Sequence, residues 1–591
     1  MNKKRILALM LCAALSISAF GVEFKEGTYV GEAKGYRGEV KVEVKTSKNK
    51  IEEVKKYFSD DYEEGYPIIS ESAAKKVPEQ IVKYQSLRVD GVSGATGTSR
   101  ALTSAVRNAL KNSGADLKEL NKKPVIEAKK LVKETQNKDV VVIGAGGAGL
   151  VAAIEAKNNG AKNVIVLEKM AFAGGNTLIS GGEYAAPNNW VQVKKGLKDS
   201  NDAFYNDILK GGDNEGDPKL VRVLADNALS GAEWLKDYIN MTFEDRQMFF
   251  GGHSVERSLV PQGATGVEMI SKLLAKAEEL NIPVLYETPA TELMVDKGRV
   301  TGVKAVSEDK EYTFLAKDGV ILATGGFGSN LEMRVKYNKD VDENILSTNT
   351  VGITGDGITM AEKIGAQLED MPFIQTYPTC DPISGALLYF GDVRLVGGSI
   401  LVTQEGKRFV EELERRDVIS MAIKNQTGNA AYQFCDEAQV KLSGVAEHHA
   451  DEVNYLFNNK LLVKADTIKE AADFFGIDAA ELEKTVAKYN QYAKDGKDLE
   501  FNKRGKLTPF EAKGPFYIMK AVPAVHHTMG GVKIDENARV INTKGEVIKG
   551  LYGAGEVTGD IHGTNRLGSD AIADITVFGR IAGQNVVKDN K

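Results

Sequence analysis

The residues with the most specific chemistry in this sequence are three glycines that follow a short apolar run. Val140–Ile143 is typical of a buried parallel strand, and Ala148–Asn158 has the periodicity of a helix. A second apolar segment, Asn163–Leu167, ends at Glu168, where an acid can accept hydrogen bonds from ribose hydroxyls. Glycines between such a strand and helix let backbone N–H groups approach a pyrophosphate at the helix N-terminus. The G-x-G-x-x-G spacing therefore predicts a dinucleotide site at Gly144, Gly146 and Gly149.

Further glycine-rich corners occur far along the chain. Val320–Thr324 is another strand-like run that ends in glycines, and Gly550–Glu556 repeats the pattern near the C-terminus. Small residues suit backbone that runs close beside a ring system or a phosphate. Several such corners, widely separated in sequence, are what one large extended cofactor requires. Their candidate cofactor-binding residues are Asn176, Thr177, Gly182, Gly325, Gly326, Asp356 and Glu556.

Together with Glu168, these corners resemble the flavoprotein subunits of the fumarate reductase and succinate dehydrogenase family. The resemblance covers about residues 138–588. It implies bound FAD and a fold of the α/β class. A Rossmann-like FAD-binding domain, in two parts at residues 138–370 and 511–591, would be interrupted by an α+β capping domain at residues 371–510.

The family's catalytic signatures have matches in the second half of the chain. In Arg415-Arg416-Asp417 the resemblance selects the arginine directly before the aspartate, Arg416, as the proton donor. It implies that His526 and Arg566 bind the substrate carboxylate and that the flavin N5 supplies a hydride to the β carbon. Each of these residues also has an alternative role. Arg416 could form a surface ion pair, His526 could be a core histidine, and Arg566 could anchor a phosphate.

The chain departs from the fumarate-reducing pattern at the other end of the expected substrate. Tyr377 stands where those enzymes have a histidine, and Asp392 adds a carboxylate in a segment with one inserted residue. Glu183 is a third candidate there, and Asp392 could instead serve a proton relay with Arg394. A tyrosine and an acid disfavour a dicarboxylate and favour a ring with N–H donors. The pattern resembles the urocanate-reducing members of the family.

The sequence thus predicts a flavin-dependent reductase of an acrylate, urocanate first. Fumarate, methacrylate or a cinnamate-like acid are alternatives within the enzyme class. An exported flavin electron carrier without a small substrate is the alternative of another class. No second nucleotide fingerprint follows the first, so the expected electron donor is a membrane quinol-linked or flavin-carrying partner. A monomer is expected.

Residues 22–115 are predicted to form a separate small domain. Val40, Val42 and Val44 alternate with charged residues as in a half-exposed strand, and a helical apolar stripe runs from Ala101 to Leu110. Between them, Asp90–Thr96 resembles the flavinylation motif of FMN-binding domains, in which the last threonine carries covalent FMN. The resemblance implies FMN on Thr96 that relays electrons to FAD. An ordinary helix cap is the alternative.

The N-terminus has the pattern of a secretory signal peptide. Lys3, Lys4 and Arg5 precede the apolar run Ile6–Phe20, so residues 1–21 are predicted to be removed on export to the periplasm or the outer cell face. A retained membrane anchor is the alternative. Residues 116–137, rich in Lys and Glu, are predicted to be a linker.

Composition excludes other function classes. The net charge of −6 gives no reason to expect nucleic acid, and no Cys/His cluster has the spacing of a metal site. Cys380 and Cys435 lie in different predicted segments, so free thiols are expected.

Overall fold

The computed structural model describes residues 22–35, 39–58, 67–124, 130–396, 398–505 and 507–590. The chain divides into two compact units, residues 1–129 and residues 130–591. Among the described residues, none of the helices combines the length and apolar character needed to cross a membrane. The predicted signal peptide lies outside the described residues.

The first unit contains an antiparallel sheet of three strands in the order β1-β2-β3. Its elements are β1 (Gly27–Lys34), β2 (Glu39–Ser47), β3 (Lys50–Phe58), α1 (Pro67–Tyr84), α2 (Thr96–Leu110) and α3 (Leu117–Leu120). Val40, Val42 and Val44 of β2 are fully buried, as their alternation predicts. Helix α2 crosses β1 so closely that a Cβ at Gly31 would collide with the backbone of Ala105.

The second unit contains most of the chain. Its strands are β4 (Val132–Ile143), β5 (Val164–Leu167), β6 (Tyr184–Ala185), β7 (Phe243–Met248), β8 (Ser258–Pro261), β9 (Val284–Leu285), β10 (Ala290–Asp296), β11 (Arg299–Val306), β12 (Lys310–Leu322), β13 (Leu346–Ser347), β14 (Leu368–Glu369), β15 (Ile374–Cys380), β16 (Ile400–Val402), β17 (Ala431–Asp436), β18 (Leu462–Ala465), β19 (Phe516–Thr528), β20 (Gly531–Val532), β21 (Arg539–Ile541) and β22 (Val547–Gly553).

Its helices are α4 (Gly147–Asn158), α5 (Gly175–Ile179), α6 (Trp190–Lys195), α7 (Asn201–Gly211), α8 (Pro218–Asp237), α9 (Gly266–Glu279), α10 (Leu331–Tyr337), α11 (Asp356–Lys363), α12 (Val393–Val396), α13 (Arg416–Lys424), α14 (Glu437–Ser443), α15 (Val445–His448), α16 (Ala450–Asn458), α17 (Ile468–Phe475), α18 (Ala479–Asp495) and α19 (Asp570–Lys588). Short 3₁₀ turns occur at Gln262–Ala264, Tyr389–Asp392 and Thr427–Asn429.

An eight-stranded sheet forms the centre of the second unit. The strands run in the order β10-β11-β22-β12-β4-β5-β9, and β21 pairs with β22. Strands β5, β4, β12 and β22 are parallel neighbours. Helices α4 and α19 pack against each other beside this sheet. The Rossmann-like arrangement places the carboxyl ends of β4, β5 and β12 at one edge, where such sheets bind ligands.

The segment predicted as a linker contains part of this sheet. Strand β4 begins at Val132, inside residues 116–137, and its first half pairs in parallel with Lys310–Ala316 of β12. That half is mostly exposed and polar, so it lacks the apolar pattern that would have revealed a strand. Among the described residues of the segment, which leave out 125–129, the helical ones are 117–120.

A second, six-stranded sheet takes four of its strands from the region predicted as the capping domain. Its path is β13-β19-β17-β16, with β15 and β18 also paired to β19. Strand β19 spans 13 residues and lies beyond residue 510, the predicted end of the cap. It is nevertheless the strand to which β13, β15, β17 and β18 all pair. The cap sheet therefore includes chain from both sides of that boundary.

Candidate active site

The glycine turn after β4 is shaped by close contact between strand and helix. Gly144 has φ of 105°, a backbone conformation that favours glycine. A Cβ at Gly144 would collide with the carbonyl of Ala323, and a Cβ at Gly149 would collide with the carbonyl of Gly144. At Gly146, by contrast, the nearest atom to a Cβ would be 3.8 Å away. Gly146 thus leaves its backbone open to a ligand, while Gly149 serves the packing of α4.

A cleft of about 880 Å³ opens at this turn. Its lining includes residues from all the glycine-rich corners, although these are hundreds of positions apart in the sequence. The predicted cofactor residues that line it are Gly144, Gly146, Glu168, Asn176, Thr177, Gly325, Asp356 and Glu556. An elongated set of backbone turns with a helix N-terminus at one end fits a dinucleotide such as FAD.

Three predicted cofactor residues do not line the cleft. Gly149 packs beneath the turn. A Cβ at Gly326 would collide with the hydroxyl of Thr528, and Gly182, with φ of 74°, packs against Pro261. These three glycines therefore lie behind the residues that line the cleft, where they allow close backbone packing. The sequence did not reveal the apolar lining residues Met170, Ile353, Met360 and Ile575, which follow no motif.

The acids of the cleft are held by the protein itself. Glu168 accepts hydrogen bonds from the backbone N–H groups of Ala145 (2.9 Å) and Met170 (2.8 Å), and burial raises the pKa of its carboxyl. Asp356 accepts from Lys169 Nζ at 2.6 Å. At the opposite end, Glu556 accepts from the backbone N–H of Thr528 at 3.0 Å. Both ends of the cleft are thus preorganised.

Arg416 and Arg415 have different environments although they are neighbours. Arg415 forms ion pairs with Asp213 and Asp417, at 2.7 Å each. Arg416 is the first residue of α13, and its guanidinium carbon lies 4.9 Å from the centre of the Tyr377 ring. Its Nη1 is buried and has no hydrogen-bond partner among the described residues. The surface ion pair considered for Arg416 is therefore made by Arg415.

His526 and Arg566 lie close to Arg416. His526 Nδ1 is 2.9 Å from Thr348 Oγ1. Burial, followed by the charges of Arg566 and Arg416, lowers the pKa of His526 well below its ordinary value. Burial and the charge of Arg416 lower the pKa of Arg566 to about 9. The structure thus concentrates positive charge in a desolvated space, which is suited to an anionic group.

Arg566 is fixed through its backbone. Gln375 Nε2 donates to the carbonyl of Arg566 at 2.7 Å and to Asn565 Oδ1 at 2.6 Å. The Arg566 Nε is buried without a hydrogen-bond partner in the described part of the chain. Gln375 and Thr348 were not predicted to hold Arg566 and His526, since these contacts join segments that are far apart along the chain.

A second group of side chains is acidic. The Tyr377 hydroxyl donates to Asp392 Oδ1 at 2.5 Å. Burial raises the pKa of the Asp392 carboxyl, although Arg394, Tyr377 and Arg416 oppose this. Burial and then Asp392 raise the pKa of Glu183 to about 7, against the charges of Arg416 and Arg246. A Cβ at Gly181 would collide with the Glu183 carboxylate, which folds back over this turn.

The two groups lie side by side. Tyr377 pairs with Ala524 across β15 and β19, and its ring centre is 5.2 Å from that of His526. Arg416 lies over the same tyrosine ring. The predicted catalytic and substrate residues therefore form one cluster, in which the three basic side chains adjoin the tyrosine and the two acids: Arg416, His526, Arg566, Tyr377, Asp392 and Glu183.

In the first unit, Thr96 is the first residue of α2 and is exposed. Gly94 has φ of 82°, and the backbone N–H of Val92 donates to Ser99 Oγ at 3.0 Å, so the loop before the helix is folded back on it. An exposed threonine at a helix N-terminus is a suitable place for a phosphoryl group.

Comparison with known proteins identifies the domains. An FAD binding domain family matches residues 139–572, and an FMN-binding domain family matches residues 35–111. A fumarate reductase (cytochrome) of Shewanella frigidimarina is 41% identical over 457 residues, which is 77% of each chain. This chain belongs to the fumarate reductase and succinate dehydrogenase flavoprotein family.

Other members of the family agree with this placement. The urocanate reductase of Eggerthella lenta is 46% identical over 587 residues, or 98% of this chain and 96% of that protein. The open conformation of a flavocytochrome c3 fumarate reductase superposes with a TM-score of 0.67 at 37% identity, over 77% of this chain and 79% of that one. The α/β fold class and the two flavin-binding domains predicted from the sequence are confirmed. The protein is an oxidoreductase that acts on CH–CH groups.

Proposed function

We propose that this flavoprotein reduces the carbon–carbon double bond of an α,β-unsaturated carboxylate, and that its substrate is urocanate. The observation that carries the proposal is the hydrogen bond between Tyr377 and Asp392, with Glu183 near by, beside the three cationic or basic residues. One end of the site suits a carboxylate and the other suits a ring with N–H donors. The urocanate reductase relative supports this substrate.

At the cationic end, Arg566 and His526 bind the substrate carboxylate. The contact of His526 Nδ1 with Thr348 fixes the orientation of the ring and assigns Nε2 to the substrate. Binding there withdraws electron density from the double bond. Bound FAD supplies the hydride chemistry. Arg416 delivers a proton to the α carbon, since its guanidinium is held over Tyr377 and its buried Nη1 has no hydrogen-bond partner among the described residues.

At the acidic end, Asp392 accepts a hydrogen bond from the imidazole ring. Its Oδ1 already accepts from Tyr377, so Oδ2 is assigned to the ring N–H. Glu183 provides a second acceptor. The distal carboxylate of fumarate would meet these two acids and lose binding energy by like-charge repulsion. A relay role for Asp392 is the second candidate, because the charges of Arg394 and Arg416 both act on its carboxyl.

A substrate panel tests the function. Urocanate, fumarate, methacrylate and a cinnamate-like acid should be compared as steady-state electron acceptors with reduced viologen as donor. Urocanate is expected to have the highest kcat/KM. Faster fumarate reduction would make the protein a fumarate reductase. Turnover of the cinnamate alone would keep the chemistry and reject the imidazole. Absence of turnover with every acid would favour an electron carrier.

We further propose that FMN is joined covalently to Thr96 through its phosphate. Exposure of this threonine at the start of α2 supports the assignment. Protein made together with a flavin transferase should keep one flavin after denaturation, as measured by mass. Thr96→Ala should lose that mass and Thr103→Ala, in the same helix, should keep it. A flavin retained covalently by Thr96→Ala would refute the assignment.

Export is proposed on the basis of Lys3–Phe20. N-terminal sequencing of the protein from its native host should begin near residues 20–23, and an intact Met1 on soluble active protein would contradict export. An exported reductase would receive electrons from a membrane quinol-linked or flavin-carrying partner.

A further inference from the structure

The 3₁₀ turn Tyr389–Asp392 determines where the Asp392 carboxylate lies. It is short, and the N–H of Gly391 donates to the carbonyl of Leu388 at 3.0 Å. The N–H groups of the first residues of a helical turn have no acceptor inside the turn and need one from outside. Tyr389 and Phe390, three and two residues before Asp392, provide these N–H groups.

Glu452 supplies both acceptors. It lies in the first turn of α16, 63 residues further along the chain. Its Oε2 accepts from the Tyr389 N–H at 3.0 Å and its Oε1 accepts from the Phe390 N–H at 2.8 Å. Hydrogen bonds from backbone amides to a carboxylate are about twice as strong as those to a neutral acceptor. One side chain thus caps the turn from a different helix.

Helix α16 and the residue before it make further contacts with the turn and with the segment that leads into it. The Tyr389 ring stacks on His449, the residue before α16, with centres 3.9 Å apart and planes within 1° of parallel. Tyr455 of α16 donates to Asp381 Oδ2 at 2.8 Å. Helix α16 therefore contacts both ends of the segment that joins β15 to Asp392.

The inner side of the turn is equally restricted. Gln433 Nε2 donates to the Phe390 carbonyl at 3.0 Å, and a Cβ at Gly391 would collide with Thr379. Between these contacts and Glu452, the turn has one well-defined position. In that position the Asp392 carboxylate reaches the Tyr377 hydroxyl.

We infer that Glu452 is a positioning residue for substrate selectivity. It contacts the backbone of the turn, and acts on the substrate through Asp392. This inference rests on the proposed function, since it is Asp392 that would discriminate an imidazole ring from a second carboxylate. Without Glu452 the two amides lose their acceptor, the turn shifts, and the Asp392 carboxylate no longer presents one fixed geometry to the ring.

The test is Glu452→Gln in the full-length holoprotein. An amide has only one acceptor oxygen, and its NH₂ group would face an amide N–H, so one of the two bonds is lost. The urocanate-to-fumarate ratio of kcat/KM should fall about tenfold, mainly through a higher KM for urocanate, because the turn loses one hydrogen bond to a charged acceptor and no longer holds Asp392 in one position. FAD content and kcat should remain within about twofold. Glu447→Gln, on the neighbouring helix α15, is the matched control and should change nothing.

A double-mutant cycle separates positioning from general damage. In an Asp392→Asn background, Glu452→Gln should have no further effect on the ratio, because the group through which it acts is already neutral. An equal effect in both backgrounds, or an equal loss for both substrates with loss of FAD, would overturn the inference. If the wild type prefers fumarate, the proposed function fails, yet the cycle measured with fumarate still shows whether Glu452 acts through Asp392.

Discussion

At both ends of the substrate cluster, burial disfavours the charged forms of the side chains. These are basic side chains at one end and carboxylates at the other. At the cationic end, burial and neighbouring positive charge lower the pKa of Arg566 to about 9 and the pKa of His526 well below its usual range. At the acidic end, burial and the neighbouring Asp392 raise the pKa of Glu183 to about 7. The shifts persist although charges of opposite sign lie near by, such as Arg416 for Glu183 and Asp392, and Glu556 for Arg566. A ligand with a carboxylate at one end and N–H donors at the other satisfies both at once.

Under the proposed function, catalysis depends on the face of one tyrosine ring and selectivity depends on its hydroxyl. Arg416 lies over the face of Tyr377, whereas Asp392 binds its hydroxyl. Changes at the cationic end should therefore impair every acrylate substrate. Changes at the acidic end should impair one substrate relative to another.

The largest effect is expected from Arg416→Ala. Loss of the proton donor should lower kcat by about 10²–10⁴-fold for all acrylates while FAD remains bound. Arg416→Lys should recover part of the rate at high pH. Arg415→Ala is the control, since Arg415 forms ion pairs with Asp213 and Asp417 and should tolerate removal. An inactive Arg415→Ala together with an active Arg416→Ala would reverse the assignment. Stopped-flow single turnover provides the measurement.

The second largest effect is expected in the double variant Tyr377→His with Asp392→Ala. It concerns the preference for urocanate over fumarate. Wild type should prefer urocanate over fumarate by at least about 10²-fold, because like charges in a closed site cost several kcal/mol and each 1.4 kcal/mol is about tenfold. The double variant should narrow or invert this ratio, mainly by losing urocanate activity. Steady-state kinetics with both acids decides it. An unchanged ratio would show that neither side chain faces the ring.

A smaller effect is expected in the pH dependence of kcat/KM, through the titration of Glu183. With a pKa of about 7, Glu183 is protonated below that pH and becomes an anion above it. The carboxylate accepts from a ring N–H better than the acid does, so kcat/KM for urocanate should rise through about pH 7 and that for fumarate should fall. Dividing the wild-type profile by that of Glu183→Gln removes the titration of the substrate itself. A quotient independent of pH between 6 and 8 would contradict the role.

The pKa shift of Glu183 also predicts the direction of a stability change in the protein without substrate. Its pKa in the folded state is raised from 4.5 to about 7, so the folded protein binds this proton more tightly than the unfolded chain does. The contribution is fully present below about pH 4.5 and is lost as the pH rises through about 7. Thermal melts should show that Glu183→Gln flattens this part of the profile.

The smallest effect is expected from Thr348→Val at the cationic end. Removing the hydroxyl that contacts His526 Nδ1 should raise the KM for every acrylate about fivefold, because a hydrogen bond contributes about 0.5–1.5 kcal/mol. The ratio between urocanate and fumarate should not change. If the ratio changed while KM for fumarate stayed constant, His526 would belong to the selective end.

The sequence predicted those features that local geometry imposes. Gly144 and Gly149 were found because only glycine allows the close strand–helix contact, and because Val140–Ile143, the end of the strand before them, is buried. The other predicted cofactor residues came from the glycine-rich corners, and the catalytic and substrate residues came from a family pattern. The structure brings most of them to a cleft and a cluster. It also distinguishes Arg416 from Arg415, which sequence composition alone does not do.

What the sequence did not reveal depends on contacts between distant segments. The first half of β4 is polar and is a strand only because Lys310–Ala316 pairs with it. Strand β19 joins the cap sheet by pairing with β17 and β18, so the cap extends past the predicted boundary. Glu452 and Thr348 occur in no motif, and their roles depend on partners far along the chain.

Strand β19 has a further consequence for how substrate is held. His526 on β19 and Tyr377 on β15 belong to the cap sheet, and Arg416 lies on helix α13, which packs against both strands. Arg566 and Glu183 come from chain segments that precede α19 and β6. A carboxylate held by both His526 and Arg566 would therefore be a non-covalent crosslink between the cap sheet and the segment before α19. Substrate should accordingly protect the whole second unit against thermal unfolding and proteolysis.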